Sequence, residues 1–573
     1  MQSIAAQLDA AFRNAIRDAW DIDADPLVAP AQNERFGDYQ SNAAMGLAKL
    51  VAERTGQKTN PRQIAEQIVA KLDLGEMVSE NPTIAGPGFI NVRLSPAWLA
   101  KQLNRIAGDE RLGVEPVESP QTVVIDLSGP NVAKELHVGH LRSTIIGDAI
   151  ARVMEFLGHK VIRQNHLGDW GTQFGMLIAH LRSQGGAESA RIEDLDKFYK
   201  EARQRFDNEP GFADQARAAV VQLQGGDPGA RALWQRILDE TRRHFQPIYG
   251  QLNVNITREH ERGESFYNDR LPNVVGELKE KGIATESEGA TVVFVEGHEN
   301  PLIIEKSGGG YLYGTTDLAA VRFRVGELGA DRVIYVVGAP QSQHFAQVFA
   351  TARRAGWAGH ASLEHAPFGS ILGEDGKMFK ARSGESVKLV DLLDEAEQRA
   401  LKLVNEKSPD LPEAQRRDIA GAVGVGAIKY ADLSKDRVGD YTFSFDQMLS
   451  MVGNTAPYLQ YAYARVRSIF RKAGAGNVSR AEIRLDAPQE VALAKHILRL
   501  PDVLGLVARE LKPHYLTTYL YELATKFSGF YEHCPVLQSD EPMRSSRLAL
   551  CAVTARTLAL GLDVLGIEHP EQM

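Results

Sequence analysis

Residues 123–161 read VVIDLSGPNVAKELHVGHLRSTIIGDAIARVMEFLGHKV, and this stretch decides the fold. Val123, Val124 and Ile125 form a β-branched apolar run, as expected of a strand buried on both faces. Gly129 and Pro130 end it. From His140 to Gly158 a long helical pattern follows, and "HKVIRQNHLG" at 159–168 reads again as a strand. Strand, helix and strand in close succession make a βαβ unit, which calls for a parallel sheet covered by helices. His137, Gly139 and His140 then stand at the mouth of a strand-to-helix turn. That is the end of a parallel sheet at which ligands bind.

The residue types at that turn suit a phosphate. A helix N-terminus offers free N–H groups and a partial positive charge. Imidazoles donate hydrogen bonds to phosphate oxygens, and such donors stabilise charge that develops during phosphoryl transfer. Gly139, with no Cβ, lets a flat base or a phosphate approach the backbone. Neither a Walker loop nor the dinucleotide glycine pattern is present. A metal pair is disfavoured, because no third ligand is evident and the glutamate of H-E-x-x-H is missing. Taken alone, the two histidines fit a solvated surface equally well.

The chain around this unit is long and ordinary in composition. Its 573 residues imply several domains, and 43% hydrophobic with 24% charged residues is typical of a globular protein. No apolar run is long enough to cross a membrane, so no membrane association is expected. Ile4, Leu8, Phe12 and Ile16 mark an amphipathic first helix, not a signal peptide. Cys534 and Cys551 are the only cysteines and are not spaced for zinc. Together these point to a reducing, cytoplasmic setting. A net charge of −9 argues against indiscriminate nucleic-acid binding but leaves room for a local basic face.

Composition shifts suggest the domain plan. Residues 1–112 read as a small α/β module, ended by a Pro- and Glu-containing linker at 114–122. Residues 113–400 carry the parallel α/β pattern, with a helical insertion region at about 180–300 whose polar helical part ends near 250; "ATVVFVE" and "DRVIYVVG" then resume the strand alternation. Residues 401–450 are connecting helices, and 451–573 form an all-α bundle. The expected fold class is α/β, a Rossmann-type parallel-sheet core with an N-terminal α/β module and a C-terminal all-α helical bundle.

The flanks of the two histidines narrow the function. "SGPNVAKELHVGH" at 128–140 resembles the nucleotide-binding signature of class I aminoacyl-tRNA synthetases, in the form seen in arginyl-tRNA synthetases. "FGDYQSN" (36–42), "GPGFINVRL" (86–94), "NHLGDWGTQFG" (165–175), "GYLYGTTDLAA" (310–320), "VKLVDLLDEA" (387–396) and "NTAPYLQYAYAR" (454–465) are similar to further blocks of that family, in the same order. The resemblance covers essentially the whole chain. It implies an enzyme that joins arginine to its tRNA through an arginyl-adenylate, with ATP and magnesium as substrate complex and no tightly bound cofactor. Its partners would be tRNA(Arg), L-arginine and ATP, and the chain would be a monomer. No enzyme nucleophile is needed, and catalysis rests on positioning and charge stabilisation.

By the same resemblance His137 and His140 contact ATP, Gly139 lies under the adenosine, and Asn131 and Gln341 hold the amino end of the substrate. A guanidinium never deprotonates and presents a planar fork of donors, so selecting it calls for matching acceptors. The family supplies them at positions matched by Tyr313, Asp317 and Glu264. The spacing of Tyr313 and Asp317 puts both on one helix face. Bland readings exist: Asp317 as a helix N-terminal acid, Glu264 as a solvated loop charge.

The second class I motif is degenerate here. "GEDGKMFKARSGESVKL" at 373–389 allows two registers, one starting at Lys377 and one ending at Arg382. Lys377, Lys380 and Arg382 are the candidate cations beside the leaving pyrophosphate, with Lys134 as a compensating charge. For tRNA, Tyr458, Tyr461 and Arg465 share a helix face and match anticodon-loop contacts, although tyrosines in a helix also pack cores. Met573 is expected near the anticodon, and Gln40 and Asn42 near an outer-corner base.

Overall fold

The architecture comes from a computed structural model of the chain, which describes residues 3–56, 59–185, 192–380, 386–474 and 481–573. Its centre is the unit read above. Strand β1 (Thr122–Asp126) leads through a loop into helix α1 (Val138–Phe156), which returns to β2 (Lys160–Gln164). Helix α2 (Tyr313–Gly326), strand β3 (Arg332–Tyr335), helix α3 (Ser342–Arg354) and strand β4 (Ser362–His365) complete the sheet. The strands lie in the order β4-β3-β1-β2, all parallel, with Val124 opposite Val333 and Ile162. Val123, Val124 and Ile125 are fully buried, as a central strand covered on both faces requires.

Helix α1 is buried almost all round, including Arg142 and Asp148. Each of these two finds an ion-pair partner: Arg142 meets Asp432 at 3.0 Å, and Asp148 meets Arg152 at 2.6 Å. The helix therefore serves as a rigid post whose N-terminus carries the two histidines.

The first 106 residues contain a four-stranded antiparallel sheet and four helices. Ile4, Leu8, Phe12 and Ile16 are all fully buried, as the amphipathic pattern predicts. The inserted region is helical between Leu195 and Gln251. "ATVVFVE" forms a strand, as its alternation predicts, but outside the parallel sheet. Its Ala290–Val293 strand pairs antiparallel with Thr285–Ser287 and Leu302–Glu305 in a separate three-stranded sheet. The cause is the two-residue turn Glu288-Gly289, with φ of 51° and 80°, the paired positive angles of a tight hairpin. From Ala456 onward the described chain is helical, with five helices ending at Asp563. No helix among the described residues is long and apolar enough to cross a membrane.

Candidate active site

The loop after β1 is held open by bonds to its neighbours. Ser128, Gly129 and Ala133 adopt positive φ of 70°, 58° and 61°. The Ser128 N–H donates to Ser143 Oγ at 2.9 Å, Gly129 N–H to Asn165 Oδ1 at 2.9 Å, and Ala133 N–H to Thr241 Oγ1 at 3.1 Å. Asn131 lies against Gly168, where a Cβ would come within 2.2 Å of the Asn131 Oδ1. The second loop thus needs a glycine to let this side chain in.

His137 caps helix α1. Its Nδ1 accepts the Gly139 N–H at 3.1 Å, and His140 Nδ1 accepts the His137 N–H at 3.2 Å. Both rings therefore carry the proton on Nε2 when neutral, leaving an N–H free to donate. Burial lowers the His137 imidazole, and burial together with the His137 charge pushes His140 down to about 3. At neutral pH the site thus offers two uncharged donors on a positive helix end. The rings stand 3.9 Å apart, centroid to centroid. Gly139 also has a structural role that was not anticipated: a Cβ there would meet the His137 ring at 2.8 Å, so the glycine admits the capping imidazole. Lys134 lies over the Tyr199 ring at 4.8 Å, in the same loop.

The second motif is a hairpin leaving strand Ile371–Leu372. Gly373 N–H donates to the Lys377 carbonyl at 2.7 Å, and Phe379 stacks on Phe443 at 4.7 Å. Lys377 and Lys380 are exposed. Arg382 lies outside the described residues. The chain returns at Ser386, bridged to Lys380, and runs straight past the first motif. Val138 N–H donates to the Val387 carbonyl at 3.0 Å and Leu389 N–H to the Leu136 carbonyl at 2.8 Å. Lys388, which sequence reasoning did not select, is thereby paired with His137 through the backbone.

An acidic pocket forms where α2, the loop after β2 and the segment 261–265 meet. Asp317 is withdrawn from solvent (17% exposed), and its Oδ2 meets His344 Nε2 at 2.5 Å. The His344 ring packs 4.8 Å from that of Tyr313, which is itself 61% exposed. The Glu264 carboxyl is pushed up to about 7 by burial and by the charges of Asp169 and Asp317, against a smaller lowering by the nearby Trp170 N–H. Burial likewise raises Asp169. Gln341 is exposed, one residue ahead of α3 and one turn before His344. His344 and Asp169 were both missed. Their partners lie 27 and 96 residues away, so no local spacing marks them.

Beneath the pocket lies an ion-paired polar layer. Arg324, on the same helix as Asp317, is fully buried and donates to Asp126 at 2.7 Å and to Gln164 at 2.7 Å.

The remaining selected residues lie outside this centre. Tyr458 is half-buried against Tyr521, Tyr461 is 45% exposed, and the Arg465 guanidinium sits 4.7 Å over the Tyr531 ring. Met573 packs against the core, and the adjacent Glu571 pairs with Arg467 at 2.9 Å. Gln40 donates to Asn91 at 2.7 Å, and the Asn42 Oδ1 is buried with no hydrogen-bond partner.

Comparison with known proteins fits this geometry. Residues 102–445 match the family described as tRNA synthetases class I (R), catalytic domain. The parallel sheet with paired histidines at its first crossover thus defines a class I aminoacyl-tRNA synthetase. Residues 4–94 match the arginyl tRNA synthetase N terminal domain, and 459–573 the DALR anticodon binding domain. The chain is similar to the arginine–tRNA ligases of Cellvibrio japonicus (54% identical over 560 residues) and Chromobacterium violaceum (53% over 561), with 96% of each chain covered. It is also similar to the arginyl-tRNA synthetase structure from Plasmodium falciparum, with 32% identity, a TM-score of 0.89 and full coverage of both chains. The chain belongs to the arginyl-tRNA synthetase family.

Proposed function

We propose the following division of labour for an enzyme that activates arginine with ATP and charges tRNA. Glu264, Asp317 and Tyr313 receive the guanidinium, and Asn131 and Gln341 hold the α-amino end. The arginine carboxylate then attacks the α-phosphorus of ATP, forming a P–O bond as the bond to pyrophosphate breaks. His137 and His140 donate Nε2–H bonds to the phosphates, and Gly139 underlies the adenosine. Lys134, Lys377 and Lys380, with Arg382 beyond the described residues, balance charge on the leaving pyrophosphate. Magnesium arrives bound to ATP. The terminal hydroxyl of tRNA(Arg) next attacks the arginyl carbonyl and AMP leaves.

Tyr458, Tyr461, Arg465 and Met573 contact the anticodon loop in this reading, and Gln40 and Asn42 an outer-corner base. The enzyme works as a monomer in the cytoplasm.

One observation carries the substrate assignment: the carboxylates of Glu264 and Asp317 lie near each other, with no lysine or arginine at ion-pair distance from either among the described residues. Such acids either take up a proton or admit a cation, and the raised Glu264 carboxyl marks that want. Citrulline tests this, since it keeps arginine's shape and loses its charge. Aminoacylation with citrulline is expected to fall at least about 1,000-fold below that with arginine in kcat/KM. Comparable charging of the two would remove the basis for the assignment.

A further inference from the structure

Asp169 touches none of the proposed substrate groups, yet it governs the segment that carries one of them. Both its carboxylate oxygens are used on Ser265: Oδ1 accepts the Ser265 N–H at 2.8 Å and Oδ2 accepts the Ser265 hydroxyl at 2.6 Å. Gly263 makes this fit possible, because a Cβ there would stand 2.3 Å from Asp169 Oδ2. Trp234 Nε1–H donates to the Asp169 carbonyl at 2.8 Å and fixes the loop from behind. The two segments run side by side. Asn165 N–H donates to the His260 carbonyl at 2.8 Å, Arg262 N–H to the Asn165 carbonyl at 3.0 Å, and Glu264 N–H to the Leu167 carbonyl at 3.0 Å. Glu264 is thus pinned on both sides of its Cα, through its own N–H and through that of Ser265.

We propose that Asp169 is a positioning residue for arginine selection, which grips Ser265 so that the Glu264 carboxylate faces the guanidinium and stays in want of a cation. This rests on Glu264 being a guanidinium acceptor. The groups facing Glu264 are Asp169 and the Trp170 N–H from the loop after β2, and Asp317 from α2. His166 stands near Asp169, and His344 is bonded to Asp317. On Glu264's own segment, Arg262 is turned to the Glu259 and Glu261 carbonyls.

The experiment measures kcat, KM for arginine and KM for ATP across pH with full-length enzyme and saturating tRNA. Wild type should lose about tenfold in kcat/KM for arginine between about pH 8 and about pH 6, as Glu264 takes up a proton. Asp169→Asn should raise KM for arginine about tenfold at about pH 8 with KM for ATP unchanged, and should move the inflection to lower pH. A raised KM with an unmoved inflection, or equal damage to the ATP and arginine parameters, overturns the proposal. Glu264→Gln should abolish the inflection. If it leaves arginine KM and the profile as in wild type, the reading of Glu264 falls and the role of Asp169 with it. If Glu264→Gln behaves as expected and Asp169→Asn matches wild type, only the role of Asp169 falls. Should Asp169→Asn fail to fold, Ser265→Ala removes one of the two bonds. A rise of about threefold in arginine KM supports the proposal and no rise overturns it.

Discussion

Two sets of buried acids lie within one catalytic unit, and they are finished differently. Beneath the sheet's end, Asp126 meets Arg324 at 2.7 Å, and in α1 Asp148 meets Arg152 at 2.6 Å. In the pocket above, Asp317 has only a histidine, and Glu264 and Asp169 have no arginine or lysine at ion-pair distance among the described residues. Burying a carboxylate without a counter-ion costs several kcal/mol, roughly, even after relaxation. In the proposed reading Glu264 and Asp317 await the guanidinium of the substrate, while Asp169 is satisfied by Ser265. The contrast then separates acids that stabilise the chain from acids proposed to select a substrate.

Breaking the ion-paired layer should have the largest effect. Arg324→Met leaves Asp126 buried without its partner and is expected to destabilise the catalytic unit by about 4 kcal/mol, read as a lower apparent Tm. Next comes Asp317→Asn, which should lose about 3 kcal/mol of transition-state binding, roughly 150-fold in kcat/KM for arginine. Its apparent Tm should not fall. If Asp317→Asn unfolds the protein as Arg324→Met does, the two layers are not distinct. The smallest effect has the opposite sign. Glu264 in the fold titrates near 7 against the ordinary 4.5, so its contribution to stability is complete at low pH and is lost as pH rises through about 7. Glu264→Gln is free of that loss. Its apparent Tm should exceed that of wild type by about 2 °C above about pH 7 and match it near about pH 4. An equal or lower Tm at the higher pH would show that Glu264 is already compensated.

What could be read beforehand follows the range of the forces involved. The β1–α1–β2 unit was legible because β-branched runs and helical spacing are local, and Val123 to Ile125 are fully buried as that pattern requires. Tyr313 and Asp317 could be placed on one helix, and α2 begins at Tyr313. The strand at Ala290–Val293 could be expected but its sheet could not, because its apolar run does not reveal its partners and the Glu288-Gly289 turn was not weighed. Asp169 in "GDWG" reads as a turn residue, and its burial depends on Ser265, 96 positions later. His344 was invisible for the same reason. A second use of Gly139 could not be read from the spacing: its missing Cβ also makes room for an imidazole of the same turn.

One feature of the second motif bears on how the enzyme closes around a nucleotide. Because Val387 shares a main-chain hydrogen bond with Val138, and Leu389 with Leu136, the arm bearing Lys377 and Lys380 is riveted at its root to the helix that bears the histidines. Swinging at that root would strip bonds from the histidine turn itself. The bending therefore falls to the outer knuckle, where Gly373 and Gly376 flank the tip and Gly376 already adopts a φ of 73°. A nucleotide that drew Lys377 inward would therefore do so without disturbing the histidine turn.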